Sequence, residues 1–163
     1  LRLLRRAAAR ASSLASHDPL TQLPNRSLFN EWLVRSVADV DRQDGSMAVL
    51  CLDLDHFKEV NDLLGHAAGD ELLRQVTERM TATLRRNDVL ARLGGDEFAI
   101  IQKHFAQPAG SARLAERLIE ELSKPFDLLG NEVMIGVSVG VALRRDPEDR
   151  DGQDLLRQDR GLL

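Results

Sequence analysis

Hydrophobic residues recur along the chain at two spacings, one typical of strands and one typical of helices. A continuous apolar run over residues 47–52 ends at Asp53, which predicts a strand buried on both faces and ending at a site. Two short apolar runs, 88–93 and 97–102, flank a pair of glycines and predict a hairpin with a tight turn. Strict alternation over 133–143 predicts a strand that contacts one core layer and pairs with 126–129 in a second hairpin.

Hydrophobic residues three and four apart predict the helices. These cover residues 1–16, about 25–40, 56–64, 68–85, 111–123 and 153–163. Pro24 and Asn25 are typical of the start of the second helix. The first is interpreted as a linker helix, and its short apolar register leaves open whether it pairs with a second copy as a coiled coil.

Strands that alternate with helices and also form hairpins predict a mixed sheet covered by helices, in an α/β (α+β) fold. The 163 residues, 43% of them hydrophobic, suit one soluble domain. We therefore divide the chain into the linker helix, 1–16, and one domain, 17–163.

Charge and cysteine content narrow the class of protein. The net charge of -4 argues against a general nucleic-acid binder, which needs a basic face. The single cysteine, Cys51, cannot form an internal disulfide and is expected to be reduced and buried. No apolar run approaches the ~18 residues of a membrane span, so we expect a cytoplasmic domain. The first residue is Leu, which suggests a longer parent protein, one that could carry a membrane anchor.

The predicted hairpin turn reads Gly94, Gly95, Asp96, Glu97. Two glycines permit a tight left-handed turn and let a ligand approach the backbone, while the carboxylates project from its edge. Glycine and aspartate are also favoured in turns for conformational reasons alone. By itself, the turn is therefore compatible with an ordinary hairpin.

A second group of polar residues begins where the buried strand ends, at Asp53, and continues to Asp70. A carboxylate at a strand end, followed at once by a helix N-terminus, suits a divalent cation together with a phosphate group. Taken singly, Asp55 is compatible with a helix cap, and Lys58 and Glu59 with solvated helix surface.

These motifs together resemble the GGDEF family of diguanylate cyclases, in the family's order and spacing, over about residues 17–160. The resemblance rests on 17–21 with 23–26, on 53–62 with Gly65-His66 and Gly69-Asp70, and on the turn 94–98. It implies a polymerase-palm-like domain with a five-stranded sheet flanked by helices. It also implies that two protomers, each holding one GTP, face each other as a homodimer and form cyclic di-GMP with release of pyrophosphate.

The resemblance also implies roles for individual residues. Asp53 and Asp96, with the Leu54 carbonyl, would ligate Mg²⁺ (or Mn²⁺), and Glu97 would support the metal or take part in proton removal. Asn61 and Asp70 would recognise guanine and select GTP over ATP. Lys58 and the backbone N–H groups near His56 and Phe57 would face the terminal phosphates.

Arg85 and Asp88 match the RxxD site that precedes the turn in many members of the family. There, arginine and aspartate hold a dimer of cyclic di-GMP, so the resemblance implies product inhibition. Arginine suits a bidentate clamp on phosphate or on a guanine edge. An Arg and an Asp at a helix end are also common as a simple surface pair.

The chain departs from the family pattern at Gln22, where glycine is usual, and at its C-terminus. The sequence ends at Leu163 without the family's lysine and arginine that grip the GTP phosphates, so we expect a domain truncated there and feeble or inactive alone. Two other functions stay open: a module that binds GTP or cyclic di-GMP and regulates a neighbour such as an EAL phosphodiesterase, and a non-catalytic scaffold. Intact carboxylates weigh against both.

Overall fold

The computed structural model describes residues 15–42, 45–103 and 109–144. Its helices are α1 (Arg26–Arg42), α2 (Phe57–Leu64), α3 (His66–Thr83) and α4 (Ala109–Leu122). Its strands are β1 (Met47–Leu54), β2 (Val89–Gly94), β3 (Glu97–Lys103), β4 (Phe126–Leu128), β5 (Asn131–Val133) and β6 (Val137–Arg144). The predicted helix over 153–163 lies outside the described residues, as does all but the end of the one over 1–16.

The main sheet has the strand order β2-β3-β1-β6. Every pairing in it is antiparallel, so the prediction of a mixed sheet was wrong. The described residues supply four strands to this sheet, and the count of five stays a prediction. The prediction assumed that a strand, a helix and the next strand would make a parallel pair. Here β1 and β2 do run parallel, but β3 folds back from β2 and lies between them.

Helices cover both faces of the sheet, which confirms the predicted α/β architecture. Side chains of β1 alternate between the two faces: Met47 and Val49 pack with α1, whereas Leu50 and Leu52 pack with α3 and α4. All four are at most 2% exposed, as the continuous apolar run predicted. The end of β1 is therefore held rigidly between two layers of core.

Cys51, on the same strand, is a thiol and is only half-buried. It packs against the cluster beneath α1. The expectation of a buried cysteine is thus met in part.

The alternating run over 133–143, predicted as one strand, is divided between β5 and β6. The β5 strand pairs with β4 in a separate hairpin, whereas β6 pairs with β1. Between them, the Gly136 carbonyl accepts a hydrogen bond from the Asp55 backbone N–H at 3.0 Å. The Ser138 hydroxyl donates to Asp55 Oδ1 at 2.8 Å. Because Asp55 directly follows β1, these two bonds fix the position at which β6 begins to pair with β1. The prediction of one strand over 133–143 was therefore wrong.

The remaining predicted elements are present, with ends displaced by a few residues. Helix α3 ends at Thr83 rather than Arg85, and β2 begins at Val89 rather than Asp88. None of the helices in the described part of the chain is both long enough and apolar enough to span a membrane.

Candidate functional site

The pairing of β1 with β3 brings the predicted acidic residues together. Asp53 lies opposite Glu97 in the register of the two strands. The Leu54 backbone N–H donates to the Asp96 carbonyl at 3.3 Å, which joins the end of β1 to the hairpin turn. Two segments far apart in sequence therefore form one acidic edge of the sheet.

The carboxyl group of Asp53 is the most perturbed acid at this edge. Its pKa is raised from 3.8 to about 6, first by burial, then by a hydrogen bond with the Asp96 side chain and by the charges of Asp96, Glu97 and Asp55. Ionised carboxylates held this close repel one another, so the edge favours a bound proton or cation.

Glu97 is paired with Arg26 in the present conformation. Its Oε2 accepts a hydrogen bond from the Arg26 guanidinium at 3.1 Å, and the two side chains are 52% and 42% exposed. Within the described ranges, no three His, Cys, Asp or Glu side chains are grouped so that they could hold one metal ion. Asp53 and Asp96 are thus the predicted metal-binding side chains that lie together here.

Gly94 and Gly95 form the turn that presents Asp96. Both have positive φ angles, 146° and 50°, which glycine adopts readily. A Cβ built on either would meet no heavy atom within 4 Å, so the space over the turn is open. A ligand can therefore approach the backbone of this turn, as the sequence predicted.

Arg92 links the segment before α1 to the glycine turn. The Arg92 guanidinium contacts both Asp18 carboxylate oxygens at 3.0 Å and also donates to the Gly95 carbonyl at 3.0 and 2.7 Å. The Arg92 backbone N–H donates to the Pro24 carbonyl at 3.0 Å. Burial alone would raise the pKa of Asp18, but hydrogen bonds from Thr21 and Arg92 outweigh it and lower that pKa.

In the sequence, Asp18 and Arg26 belong only to a segment that carries the family resemblance, and the motifs predict a role for neither residue and none for Arg92. An arginine two positions before a Gly-Gly turn, with an aspartate far upstream, was the available signal.

The predicted phosphate-facing group lies at the start of α2. His56 adopts a left-handed conformation, with φ 61°, immediately before the helix, and its Nδ1 lies 3.0 Å from Glu59 Oε1. Phe57 packs against the core, whereas Lys58 is exposed. Lys58 is therefore free to extend over the N-terminal turn of α2.

The predicted guanine-recognising residues lie on α2 and α3, which meet at Gly65. Asn61 is half-buried on α2, and Asp70 is exposed in the first turns of α3. Gly65, with φ 88°, ends α2, and its N–H donates to the Asn61 carbonyl at 2.9 Å. The sharp turn between the helices places both residues beside the same joint.

The predicted inhibitory pair lies in the turn between α3 and β2, away from the acidic edge. The Asp88 carboxylate accepts a hydrogen bond from the Arg85 backbone N–H at 2.9 Å, and the Asp88 N–H donates to the Arg85 carbonyl at 3.1 Å. These bonds close the turn and leave the Arg85 side chain exposed.

The family model described as "Diguanylate cyclase, GGDEF domain" matches residues 15–161. The chain belongs to the GGDEF family. The resemblance noted from the motifs is thereby confirmed. This GGDEF domain carries its glycine turn on the β2–β3 hairpin.

Three curated relatives come from Pseudomonas aeruginosa. The bifunctional diguanylate cyclase/cyclic di-GMP phosphodiesterase MucR is 46% identical over 140 residues, covering 86% of this chain and 20% of MucR. The diguanylate cyclase TpbB is 42% identical over 146 residues, covering 89% and 33%. The cyclic di-GMP phosphodiesterase NbdA is 39% identical over 162 residues, covering 99% and 20%. The chain thus spans a fifth to a third of these relatives.

Two solved structures extend the likeness to the fold. The TpbB GGDEF domain superposes with a TM-score of 0.83 at 41% identity, covering 88% of this chain and 84% of that chain. The coiled coil and GGDEF domain of DgcB from Caulobacter crescentus, in complex with c-di-GMP, gives 0.87 at 29% identity, covering 98% and 84%. The helix-covered antiparallel sheet is therefore the fold of GGDEF domains.

Proposed function

We propose that this chain is a diguanylate cyclase domain, which condenses two GTP molecules into cyclic di-GMP. The main support is the pairing of Asp53 and Asp96 at the end of β1, beside an open glycine turn. An acidic edge next to exposed backbone suits a metal-bound triphosphate.

The residues at this edge fit a magnesium or manganese ion. Asp53 and Asp96, with the Leu54 carbonyl, would hold it, because hard cations prefer oxygen ligands. Burial and, after it, the neighbouring carboxylates raise the pKa of Asp53, and a divalent cation would relieve the repulsion among these carboxylates. Such an ion neutralises charge on a transferred phosphate and activates the attacking oxygen. Glu97 would support it or accept a proton after leaving Arg26.

The rest of the site would bind the nucleotide. Asp70 accepts from the N–H groups of guanine and Asn61 complements its remaining edge, which selects GTP over ATP. Lys58 and the backbone N–H groups at His56 and Phe57 contact the terminal phosphates. Gly94 and Gly95 keep the remaining approach open.

Two such sites are needed for the product, so the active species is a homodimer with one GTP on each protomer. Each 3′-hydroxyl oxygen forms a bond to the partner's α-phosphorus while the α–β phosphoanhydride bond breaks. At each of the two positions the hydroxyl proton passes to a base, for which Glu97 is proposed, or to water, and pyrophosphate leaves. One cyclic di-GMP and two pyrophosphates result from two GTP.

The test is to incubate the chain with GTP and Mg²⁺ and to measure cyclic di-GMP by chromatography with mass detection. A version extended by its native C-terminal continuation is tested in parallel, since phosphate-gripping residues are expected there. Product should form in at least one version and disappear in Asp96→Ala with Glu97→Ala. The control is Glu78→Ala, an exposed carboxylate on α3. Turnover that survives loss of both acidic residues would contradict the proposal.

Product inhibition at Arg85 and Asp88 is part of the proposal. The Arg85 side chain is exposed on a turn that the backbone bond to Asp88 closes, and a guanidinium there suits a clamp on a guanine edge or phosphate. Arg85→Ala should leave the initial rate unchanged and prevent the slowing of turnover as product accumulates. Progress curves with and without added cyclic di-GMP measure this, and equal slowing in both proteins would exclude the site.

A second function is favoured by one comparison: NbdA, a cyclic di-GMP phosphodiesterase, matches nearly this whole chain over a fifth of its own length. The domain could then bind GTP or cyclic di-GMP and regulate an adjacent domain. No product from either version, together with retained cyclic di-GMP binding that depends on Arg85, would support this function.

A further inference from the structure

Gly69 lies in the first turns of α3, where glycine is among the least favourable residues for a helix. It is buried, and its neighbour across the helix joint is the side chain of Asn61. A Cβ built on Gly69 would lie 1.9 Å from Asn61 Oδ1, 2.8 Å from its Cγ and 3.3 Å from its Nδ2. The Asn61 amide therefore occupies the space that any other residue at position 69 would need.

This contact places one predicted guanine-recognising residue, Asn61, against the residue that precedes the other, Asp70. Asn61 lies against the Cα of the residue that immediately precedes Asp70 in the chain. The backbone reinforces the arrangement, because Gly65 N–H donates to the Asn61 carbonyl and Gly69 N–H donates to the Gly65 carbonyl at 3.2 Å. The position of the Asn61 amide is thus set by close packing against Gly69 rather than by free rotation of Asn61.

We propose that Gly69 is a specificity-determining positioning residue, whose missing side chain seats the Asn61 amide beside Asp70 for recognition of guanine. This inference rests on the proposed function. Any larger residue must move Asn61, because the side-chain oxygen cannot approach a carbon at 1.9 Å. The change affects the base-recognising group on α2 and α3, whereas the acidic edge lies on the sheet and is untouched.

The test uses the full chain, in which binding of 3′-deoxy-GTP and 3′-deoxy-ATP is titrated in the presence of Mg²⁺. These analogues lack the attacking hydroxyl, so no condensation disturbs the titration. In Gly69→Ala, the affinity for the guanine analogue should fall about 10-fold, as expected for one lost hydrogen bond of good geometry, with the adenine analogue unchanged. Equal weakening of both analogues, or no change in either, would overturn the inference.

The variant pair Asn61→Ala and Asn61→Ala/Gly69→Ala separates positioning from general packing. In the double variant the Asn61 amide is absent, so the new methyl group at position 69 causes no steric clash with it. The double variant should therefore bind both analogues as Asn61→Ala does. It should also fold even if Gly69→Ala alone does not. Further weakening or unfolding in the double variant would show that Gly69 acts independently of Asn61 and would overturn the inference.

The unaltered chain distinguishes failure of this inference from failure of the proposed function. If neither it nor the version with the native C-terminal continuation binds either analogue, the proposed function fails and the role of Gly69 fails with it. If it prefers the guanine analogue and Gly69→Ala keeps the same preference, only the role of Gly69 is overturned.

Discussion

The carboxyl group of Asp53 destabilises the folded chain at neutral pH. The unfolded chain releases this proton near its ordinary pKa of 3.8, whereas the folded chain releases it at about 6. Between these values the folded state binds more protons, so the free energy of unfolding falls as the pH rises through this window. Above pH 6 the folded chain carries the full free-energy cost of keeping the Asp53 carboxylate ionised.

The substitution Asp53→Asn should therefore stabilise the protein while abolishing turnover. We expect the free energy of unfolding without divalent cations to rise by about 1–2 kcal/mol near pH 8, after discounting for solvent screening, and by much less near pH 4. Urea unfolding at both pH values measures this. Asp62→Asn, an exposed carboxylate on α2, is the control. Equal stabilisation at both pH values would contradict the assignment.

Added Mg²⁺ gives the same site a second readout. It should stabilise the unaltered chain near pH 8, because a ligand that binds the folded state shifts the equilibrium toward it. It should not stabilise Asp53→Asn.

Individual residues were the easiest part of the site to predict. Asp53 and Asp96 each stand next to a local signal, the end of a buried apolar run and a Gly-Gly turn. Gly69 had no such signal beyond its place in the family motif. Its role depends on a contact between two helices, which a linear pattern does not contain.

At the scale of elements, the segment before α1 is joined to the β2–β3 hairpin by the ion pair of Asp18 and Arg92. The two side chains are only 17% and 12% exposed, and the same guanidinium also contacts the Gly95 carbonyl. The pair therefore links the start of the domain to the turn that presents Asp96.

Breaking this pair should cost much more than breaking a surface pair. Asp18→Asn should lower the free energy of unfolding by about 2–3 kcal/mol, because it leaves a largely buried arginine without its counter-charge. The matched control is Glu31→Gln, which breaks the exposed pair with Arg35 on α1 and should cost less than about 0.5 kcal/mol. Chemical denaturation compares them, and similar losses would show that the pair has no special role.

The positions of elements were predicted better than their pairing. The apolar run of β1 fixed its burial, but β3 lies between β1 and β2, and the run over 133–143 is divided at Gly136. The division depends on Asp55, whose carboxylate accepts from Ser138, a residue 83 positions further along the chain. Contacts over such separations leave no trace in local hydrophobic periodicity.

At the scale of the whole molecule, the proposed reaction needs two protomers, because each site holds one nucleotide. Cyclase activity per milligram of protein should therefore fall as the protein is diluted, whereas nucleotide binding by each protomer should not. Initial rates over a dilution series, with 3′-deoxy-GTP titrations as the control, measure this. Constant specific activity well below the dissociation constant of the dimer, determined independently, would contradict a dimeric mechanism.

The strand order has a consequence for synthesis on the ribosome. When β1, α2 and α3 have left the ribosome, the nascent chain already contains Asp53, Asn61 and Asp70, but it lacks the β2–β3 hairpin whose turn supplies Asp96. The β1 strand then has neither of its neighbours, because β3 emerges later and β6 later still. Its backbone N–H and C=O groups stay unpaired, and its apolar side chains stay uncovered, until those strands emerge. This interval is therefore the one in which the domain is most prone to aggregate or to need a chaperone.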